Sequence, residues 1–94
     1  MSINRYNPKR DQNEPEIVEY FKKRGFSVER LNTPLDLLIG YKKRNYLVEV
    51  KMPKKSLNEK QDKFTQEWKG QFVVINSLER AAAWSDSLIL EKGS

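Results

Sequence analysis

Apolar and polar residues alternate along this chain with two different periods. Helical spacing predicts a first helix over 14–24, with Asn13 as its N-cap and Gly25 just after its end. Apolar runs with strand character predict four strands, over 26–31, 35–40, 46–51 and 71–76. A second helix before the fourth strand and a third helix after Ser77 give the order αβββαβα.

The second helix has its own start and stop signals. Ser56 and Glu59 have the spacing of a capping box, and Gly70 marks the end. Trp68 falls on the apolar stripe of this helix. For Trp68, and for Trp84 in the third helix, the sequence favours a core position over the alternative of a base-stacking residue. Because this helix connects the third and fourth strands, the two strands should be parallel if they share a sheet.

The length of 94 residues fits one small domain, which we place at residues 13–90. Residues 1–12 are polar and without periodicity, which predicts a flexible basic arm, and residues 91–94 form a tail. The apolar runs are too short to cross a bilayer and no signal peptide is visible, so a soluble intracellular protein without membrane contact is expected.

Charge and missing residue types narrow the chemistry. The chain has a net charge of +5, no cysteine and no histidine. Disulfides, thiolate sites and histidine-based catalysis are excluded, and an oxygen-rich metal site favours Mg²⁺ or Mn²⁺. The basic clusters are either a solvated surface or contacts to nucleic-acid phosphates. The residues predicted for such contacts are Lys42, Lys43, Arg44, Lys54 and Lys55.

Charged residues interrupt two of the predicted strands. Asp36, Glu49 and Lys51 lie within apolar runs, where charges are costly without a partner or a metal. Strand alternation puts Glu49 and Lys51 on one face, and an antiparallel hairpin with an even-length loop adds Asp36 to it. A four-residue loop over 42–45 would place Asp36 opposite Lys51 and diagonal to Glu49.

This arrangement predicts a divalent-metal site. Asp36 and Glu49 would supply the ligands, with the backbone carbonyl of Val50 as a further one. Lys51 would position the attacking hydroxide or neutralise charge in the transition state. The alternative is a plain salt bridge between Lys51 and either carboxylate at a sheet edge. The basic chain and the three charged residues together favour the metal site.

The same residues resemble the PD-(D/E)XK nuclease superfamily, and within it the small stand-alone VRR-NUC nucleases common in phages. The resemblance extends from Asp11 to Trp84. Its motifs are Asn13–Val18, the Pro-Leu-Asp strand at 34–36, the Glu-x-Lys strand at 49–51 and the Leu57–Gln61 helix start. It implies a restriction-endonuclease-like core, αβββαβ(α), with a mixed central sheet. The family's proline stands directly before the aspartate, whereas Leu35 separates them here, and Leu31–Thr33 replaces the usual glycines.

The resemblance also implies roles for single residues. Asp36 and Glu49 would bind the metal, and Lys51 would be the catalytic lysine. Glu16 matches a glutamate that often joins the metal shell, although its spacing from Asn13 also fits a capping box. Gln61 matches a glutamine that supports the active site, although it also lies on the apolar stripe of its helix.

The implied function is Mg²⁺-dependent cleavage of branched or junction DNA, similar to a Holliday-junction resolvase. A homodimer is expected, with the 88–90 segment and Tyr6 as exposed apolar candidates for its surface. The location would be the cytoplasm, that of the host cell if a phage encodes the chain. Two alternatives are a non-catalytic nucleic-acid-binding module and a partner-dependent subunit of a restriction or recombination complex.

Overall fold

A computed structural model describes residues 11–33 and 35–91. Most of the predicted arm, Pro34 and residues 92–94 of the tail therefore lie outside the described part, and so does Tyr6. The element order is the predicted one. The elements are α1 (Glu14–Lys23), β1 (Ser27–Arg30), β2 (Leu37–Tyr41), β3 (Arg44–Val50), α2 (Glu59–Glu67), β4 (Phe72–Ile75) and α3 (Leu78–Leu90).

The strands form one mixed sheet in the order β1-β2-β3-β4. Neighbours β1–β2 and β2–β3 are antiparallel, as hairpin connections require, whereas β3 and β4 are parallel and joined through α2. The predicted parallel pair is therefore confirmed, and the fold is a mixed α/β fold with three helices. Among the described residues, no helix has both the length and the apolar character needed to span a membrane.

One face of the sheet carries the hydrophobic core. Alternate residues of each strand turn toward α1 and α3 because side chains alternate across a strand. Trp84 of α3 packs edge-on against Phe21 and Tyr46, so its predicted core position is confirmed. The buried residues of this core are Ile17, Val18, Phe21, Phe26, Leu37, Ile39, Tyr46, Val48, Val50, Val73, Ile75, Ala81 and Leu88.

The opposite face is covered more thinly. All nine residues of α2 are described, and none of them is buried. Trp68, which follows this helix, is 44% exposed, so the prediction that it is a core residue is wrong. Its partner is Phe64, on which it stacks with ring centroids 5.2 Å apart. An apolar stripe on a short helix thus covers only part of this sheet face.

Helix α1 ends as predicted, but Asn13 does not act as expected. Gly25 has φ of +91°, and backbone bonds from Gly25 to Lys22 and from Phe26 to Phe21 close a Schellman motif. Asn13 occupies the N-cap position without a capping side-chain bond. Its side-chain amide instead donates to the carbonyls of Lys51 and Asn76. These two residues directly follow β3 and β4, whose ends lie next to the start of α1.

The β2–β3 hairpin has an even-length loop, as the predicted common face requires, but the loop is shorter than predicted. Tyr41 pairs with Arg44, so only Lys42 and Lys43 remain in the turn. Their φ angles are +52° and +65°, the conformation of a type I′ turn, whose twist matches that of the flanking strands. The predicted four-residue loop is wrong because β3 begins two residues earlier than its apolar run.

Candidate active site

The shorter loop changes which residues face each other across the hairpin. Leu37 pairs with Val48, so continuing the register places Asp36 opposite Glu49 instead of Lys51. Asp36 Oδ2 accepts a hydrogen bond of 2.9 Å from the Val50 amide, at the point where the regular ladder ends. The two carboxylates predicted to converge therefore meet directly across the strands.

Glu49 is enclosed by protein on the face turned toward α2. It is 2% exposed, although it lies on the less covered side of the sheet. Its Oε2 accepts a 2.6 Å hydrogen bond from Gln61 Nε2 and lies 3.8 Å from the Lys51 ammonium. Its Oε1 is buried and has no hydrogen-bond partner among the described residues. The side chain therefore has one satisfied oxygen and one buried oxygen that still needs a positive partner.

Gln61 is held in place by the N-terminus of α2. Asn58 and Gln61 form a complete capping box: Asn58 Oδ1 accepts from the Gln61 amide, and Gln61 Oε1 accepts from the Asn58 amide. Since a backbone N–H only donates, Oε1 must face Asn58 and Nε2 must face Glu49. The capping box predicted at Ser56 and Glu59 is thus wrong by two residues, and the observed one orients an active-site amide.

The electrostatics of Glu49 follow from this enclosure. Burial, followed by the charge of Asp36, raises the pKa of Glu49 from 4.5 to about 8, against the opposing effect of Lys51. The charge of Asp11 also contributes to the raised pKa. Near neutral pH the site thus holds a proton that a metal cation would displace, because a cation between the carboxylates would stabilise their ionised forms.

The loop after β3 holds Lys51 beside the carboxylates. The Lys51 amide donates to Ile75 across the parallel pair, and its carbonyl accepts from Asn13. Residues 52–55 then form a turn, which is closed by a hydrogen bond from the Lys55 amide to the Met52 carbonyl. Its two central residues are Pro53 and Lys54, and Lys54 has a φ of +73°. Lys54 and Lys55 are exposed on this turn, close to the site in sequence. Their predicted contacts to nucleic acid stay a prediction.

The two glutamates at the start of α1 lie in different environments. Glu16 is exposed and lines a separate cavity together with Tyr20, Met52 and Glu79, so the structure does not bring it to Asp36 and Glu49 as a third acid. Glu14 is 1% exposed and forms a 3.3 Å ion pair with Arg30 of β1. A metal role for Glu16 therefore stays a prediction.

The donor set fits a hard divalent ion that keeps several waters. Among the residues described, no group of three or more acidic side chains is placed to hold a metal. Asp36 and Glu49 supply two carboxylates, and the buried Glu49 Oε1 has no hydrogen-bond partner in the part of the chain that the structure describes. The N–H of Val50 points toward Asp36, and in a strand the carbonyl of the same residue points the same way. Mg²⁺ is commonly bound by one or two carboxylates plus water and phosphate oxygens.

The basic cluster of the hairpin turn lies far from this site. Lys43 lies six positions before Glu49 along the strand, a distance of about 20 Å. Lys42 Nζ donates to the carbonyls of Leu88, Ile89 and Glu91, and Arg44 pairs with the Glu91 carboxylate at 3.3 Å. Of the five basic side chains predicted to contact phosphates, two of the three at the turn thus bind the end of α3, and the third, Lys43, is exposed.

Three residues of the site were not predicted from the sequence. Asn58 has a visible signal, since Asn-x-x-Gln fits a capping box as well as Ser-x-x-Glu does. The sequence places Asp11 in the predicted flexible arm, whereas in the structure its charge contributes to the raised pKa of Glu49. The sequence predicts a local N-cap role for Asn13, whereas its side-chain contacts lie 38 and 63 residues away. Contacts at such separations leave no periodic trace in a sequence.

Comparison of the chain with protein-family models, with curated proteins and with solved structures finds no significant match. Three side chains meet at Glu49 and define the chemistry of the site. These are a facing aspartate, an oriented glutamine amide and a nearby lysine.

Proposed function

We propose that this protein is a metal-dependent endonuclease that hydrolyses phosphodiester bonds in DNA, with a core of the PD-(D/E)XK type. One observation carries the proposal: Glu49 is buried next to the Asp36 carboxyl group, held by Gln61 through one oxygen, and left with a buried second oxygen that no N–H or O–H of the described residues reaches. A carboxylate that serves only a salt bridge gains most by pairing both oxygens, because an unsatisfied buried oxygen destabilises the fold.

Each side chain has a role in this proposal. Asp36 and Glu49, with the Val50 carbonyl, would hold Mg²⁺ or Mn²⁺, which lowers the pKa of a bound water and offsets phosphate charge. Gln61 fixes the orientation of the Glu49 carboxylate through the capping box. Lys51, whose side chain is 16% exposed, places its ammonium where it would orient a nucleophile or stabilise charge on the phosphate.

The proposed substrate, oligomeric state and location rest on the resemblance of the sequence motifs to those of VRR-NUC nucleases. The substrate would be branched DNA, cut by a homodimer in the cytoplasm. Two copies would place two sites on one junction, which a single small domain cannot cover. Of the apolar residues expected to form the dimer surface, Leu88 is buried, Ile89 is partly buried and Leu90 is 75% exposed. Leu90 is thus the residue of this segment most available for a partner.

The test is a cleavage assay with labelled four-way junction, flap and blunt duplex DNA, each with Mg²⁺, with Mn²⁺ and with EDTA. We expect metal-dependent cleavage by the wild-type chain and none by Glu49→Gln. Glu19→Gln, an exposed carboxamide change on α1, is the matched control and should cut like the wild type. Gel filtration of the same preparations reports the oligomeric state.

Two results would contradict the proposal. Cleavage by Glu49→Gln at the rate of Glu19→Gln would show that the activity does not depend on this site. DNA binding without cleavage of any substrate in either metal would instead favour the non-catalytic alternative. Cleavage that appears only after a second protein is added would favour the partner-dependent one.

A further inference from the structure

A second cavity lies on the sheet face that carries Glu49. It has a volume of about 750 Å³ and is lined by Leu38, Asn45, Leu47, Trp68, Gly70 and Gln71. Leu38 and Leu47 pair across β2 and β3, and each lies two residues from Asp36 or Glu49 on the same face. The floor of the cavity is therefore about 7 Å from the two carboxylates.

The indole of Trp68 forms one wall of this cavity, and two neighbours limit its position. Phe64 stacks on it with an angle of 23° between the ring planes. A Cβ added at Gly70 would come within 2.7 Å of Trp68 Nε1, so only a glycine fits beside the indole nitrogen. With 44% of the residue exposed, part of the indole remains open to a ligand in the cavity.

The charge around the cavity fits a neutral group on an anionic chain. No charged side chain is among the described residues that line it, and the amides of Asn45 and Gln71 are its polar groups. Among the described residues that line the neighbouring cavity beside Gln61 and Phe64, Lys60 is the charged one, whereas the cavity at Glu16 is lined by two glutamates. A phosphate next to Lys60 is therefore favoured in the cavity beside Gln61 and disfavoured at Glu16, and the outer side of α2 carries Glu59 and Asp62 as well as two lysines.

We infer that this cavity, the Trp68 pocket, binds an unpaired nucleobase of a single-stranded segment next to the cleavage site. The inference rests on the proposed function for the nature of its ligand. A base would stack on Trp68, rest on Leu38 and Leu47, and meet hydrogen-bonding groups from Asn45 and Gln71. Aromatic stacking accepts any base because every base has a π-face, and side-chain amides bind base edges. The pocket thus selects DNA with an unpaired nucleotide near the site over continuous duplex.

Binding to oligonucleotides in EDTA tests the inference without any cleavage. A single-stranded oligonucleotide should quench the emission of Trp68, whereas Trp84, which is partly buried and packs against the core on the other face of the sheet, should report little. By fluorescence anisotropy, Trp68→Ala should bind the single strand about 5- to 150-fold more weakly, and Trp68→Phe should recover most of the affinity. Leu78→Ala, an exposed apolar truncation at the start of α3, is the matched control and should bind like the wild type.

A second pair of measurements addresses the pocket itself. Gly70→Ala should displace the indole and weaken single-strand binding while the Trp68 side chain remains. One abasic nucleotide at the position bound by the pocket should weaken binding to the wild type, but change little for Trp68→Ala. A short oligonucleotide scanned with abasic sites locates that position. Thermal unfolding of every variant verifies that the exposed substitutions leave the fold intact.

The inference is overturned if the wild type binds no single strand, or if Trp68→Ala binds it like the wild type. Equal weakening of duplex and single-strand binding would also overturn it, as would a Trp68→Ala protein that loses a dimer seen for the wild type. The proposed nuclease function fails separately, through absent cleavage in Mg²⁺ and Mn²⁺. Binding in EDTA is not affected by that result.

Discussion

Both ends of the β2–β3 hairpin carry charged residues, basic at the turn and acidic at the open end, and the two sets lie in opposite situations. At the turn, Lys42 donates to three carbonyls at the end of α3, and Arg44 pairs with Glu91. At the open end, Glu49 is buried with one oxygen bound by Gln61 and the other without a partner among the described residues. The charges at the turn are matched to helix carbonyls and a carboxylate, whereas two acids are forced together at the open end.

The charges at the turn stabilise the fold, whereas those at the open end leave it able to bind a proton or a cation. A lysine at a helix C-terminus satisfies carbonyls that have no partner within the helix, and its charge complements the helix dipole. Two facing carboxylates destabilise the fold until a proton or a cation comes between them. Basic residues are therefore not equivalent as predictors of nucleic-acid binding, because some of them are occupied within the fold.

The largest effect is expected at the open end. Glu49→Gln and Lys51→Ala should each lower the cleavage rate at least about a hundred-fold, since even groups that only support metal ligands affect activity 10- to 100-fold. DNA binding in EDTA should change little. Single-turnover cleavage and anisotropy measure the two quantities. Loss of binding in parallel with cleavage would mean that these residues hold the DNA and do not act in the reaction.

The next effect is a pH dependence of stability. The pKa of Glu49 is raised to about 8, so the folded state binds this proton more tightly than the unfolded chain. Its contribution is complete below pH 4.5 and is lost as the pH rises through 8, with a slope of at most about 1.4 kcal/mol per pH unit. Urea unfolding of the wild type and of Glu49→Gln from pH 5 to 8.5 measures the difference. Equal slopes would contradict the raised pKa.

Added Mg²⁺ should act on the same group in the opposite direction. At pH 8, a concentration of about five times its Kd should stabilise the wild type by about 1 kcal/mol, or roughly 4–8 °C in Tm. Glu49→Gln should show a much smaller shift, and Glu19→Gln should respond like the wild type. A Tm that does not respond to Mg²⁺ or Mn²⁺ would exclude a metal site at these carboxylates.

A smaller effect is expected at the capping box. Asn58→Ala should lower the free energy of unfolding by about 1 kcal/mol, because it removes an N-cap. It should also lower cleavage by releasing Gln61, whereas Asn58→Ser should restore both. A pH–rate profile distinguishes the two consequences, since a merely structural role would leave the Glu49 pKa in place. Recovery of stability without recovery of activity would contradict the link through Gln61.

The smallest effect is expected at the turn. Lys42→Ala should destabilise the fold by about 0.3–1 kcal/mol, since its ammonium is bound to the end of α3. Lys43→Ala should change stability less, and its effect on DNA binding at several salt concentrations measures any phosphate contact. A reduced salt slope for Lys43→Ala would place DNA at the turn and weaken the contrast between the two ends.

The sequence predicts much of this fold from local patterns. Element order, the two faces of β2 and β3, and the parity of the hairpin loop follow from alternation and from a few caps such as Ser77, whose Oγ accepts from Arg80. The register does not follow, because the apolar run of β3 starts later than its hydrogen bonds do. As a result, the sequence places Asp36 opposite Lys51, whereas the sheet places it opposite Glu49.

The same limit applies to the candidate site. Asp36, Glu49 and Lys51 are visible in the sequence because charges in apolar strands are unfavourable without a use. The placement of Gln61 against Glu49 depends on the residue at which α2 begins. The sequence offers two capping boxes that overlap, one from Ser56 and one from Asn58, and does not distinguish between these two starts. The occupation of Lys42 by α3 depends on a contact 46 to 49 residues away, which no local pattern encodes.

By itself, the sequence determined the periodicity of each segment, the faces of its strands and the types of charged residue that the interior must accommodate. These are properties of neighbouring residues, set by backbone geometry and by the cost of burying charge. The tertiary structure decided which charges meet. The packing of the sheet and helices set Glu49 between Asp36 and Gln61, and Lys42 against α3. The free energy of each charge depends on the groups that surround it, and these groups come from distant parts of the sequence.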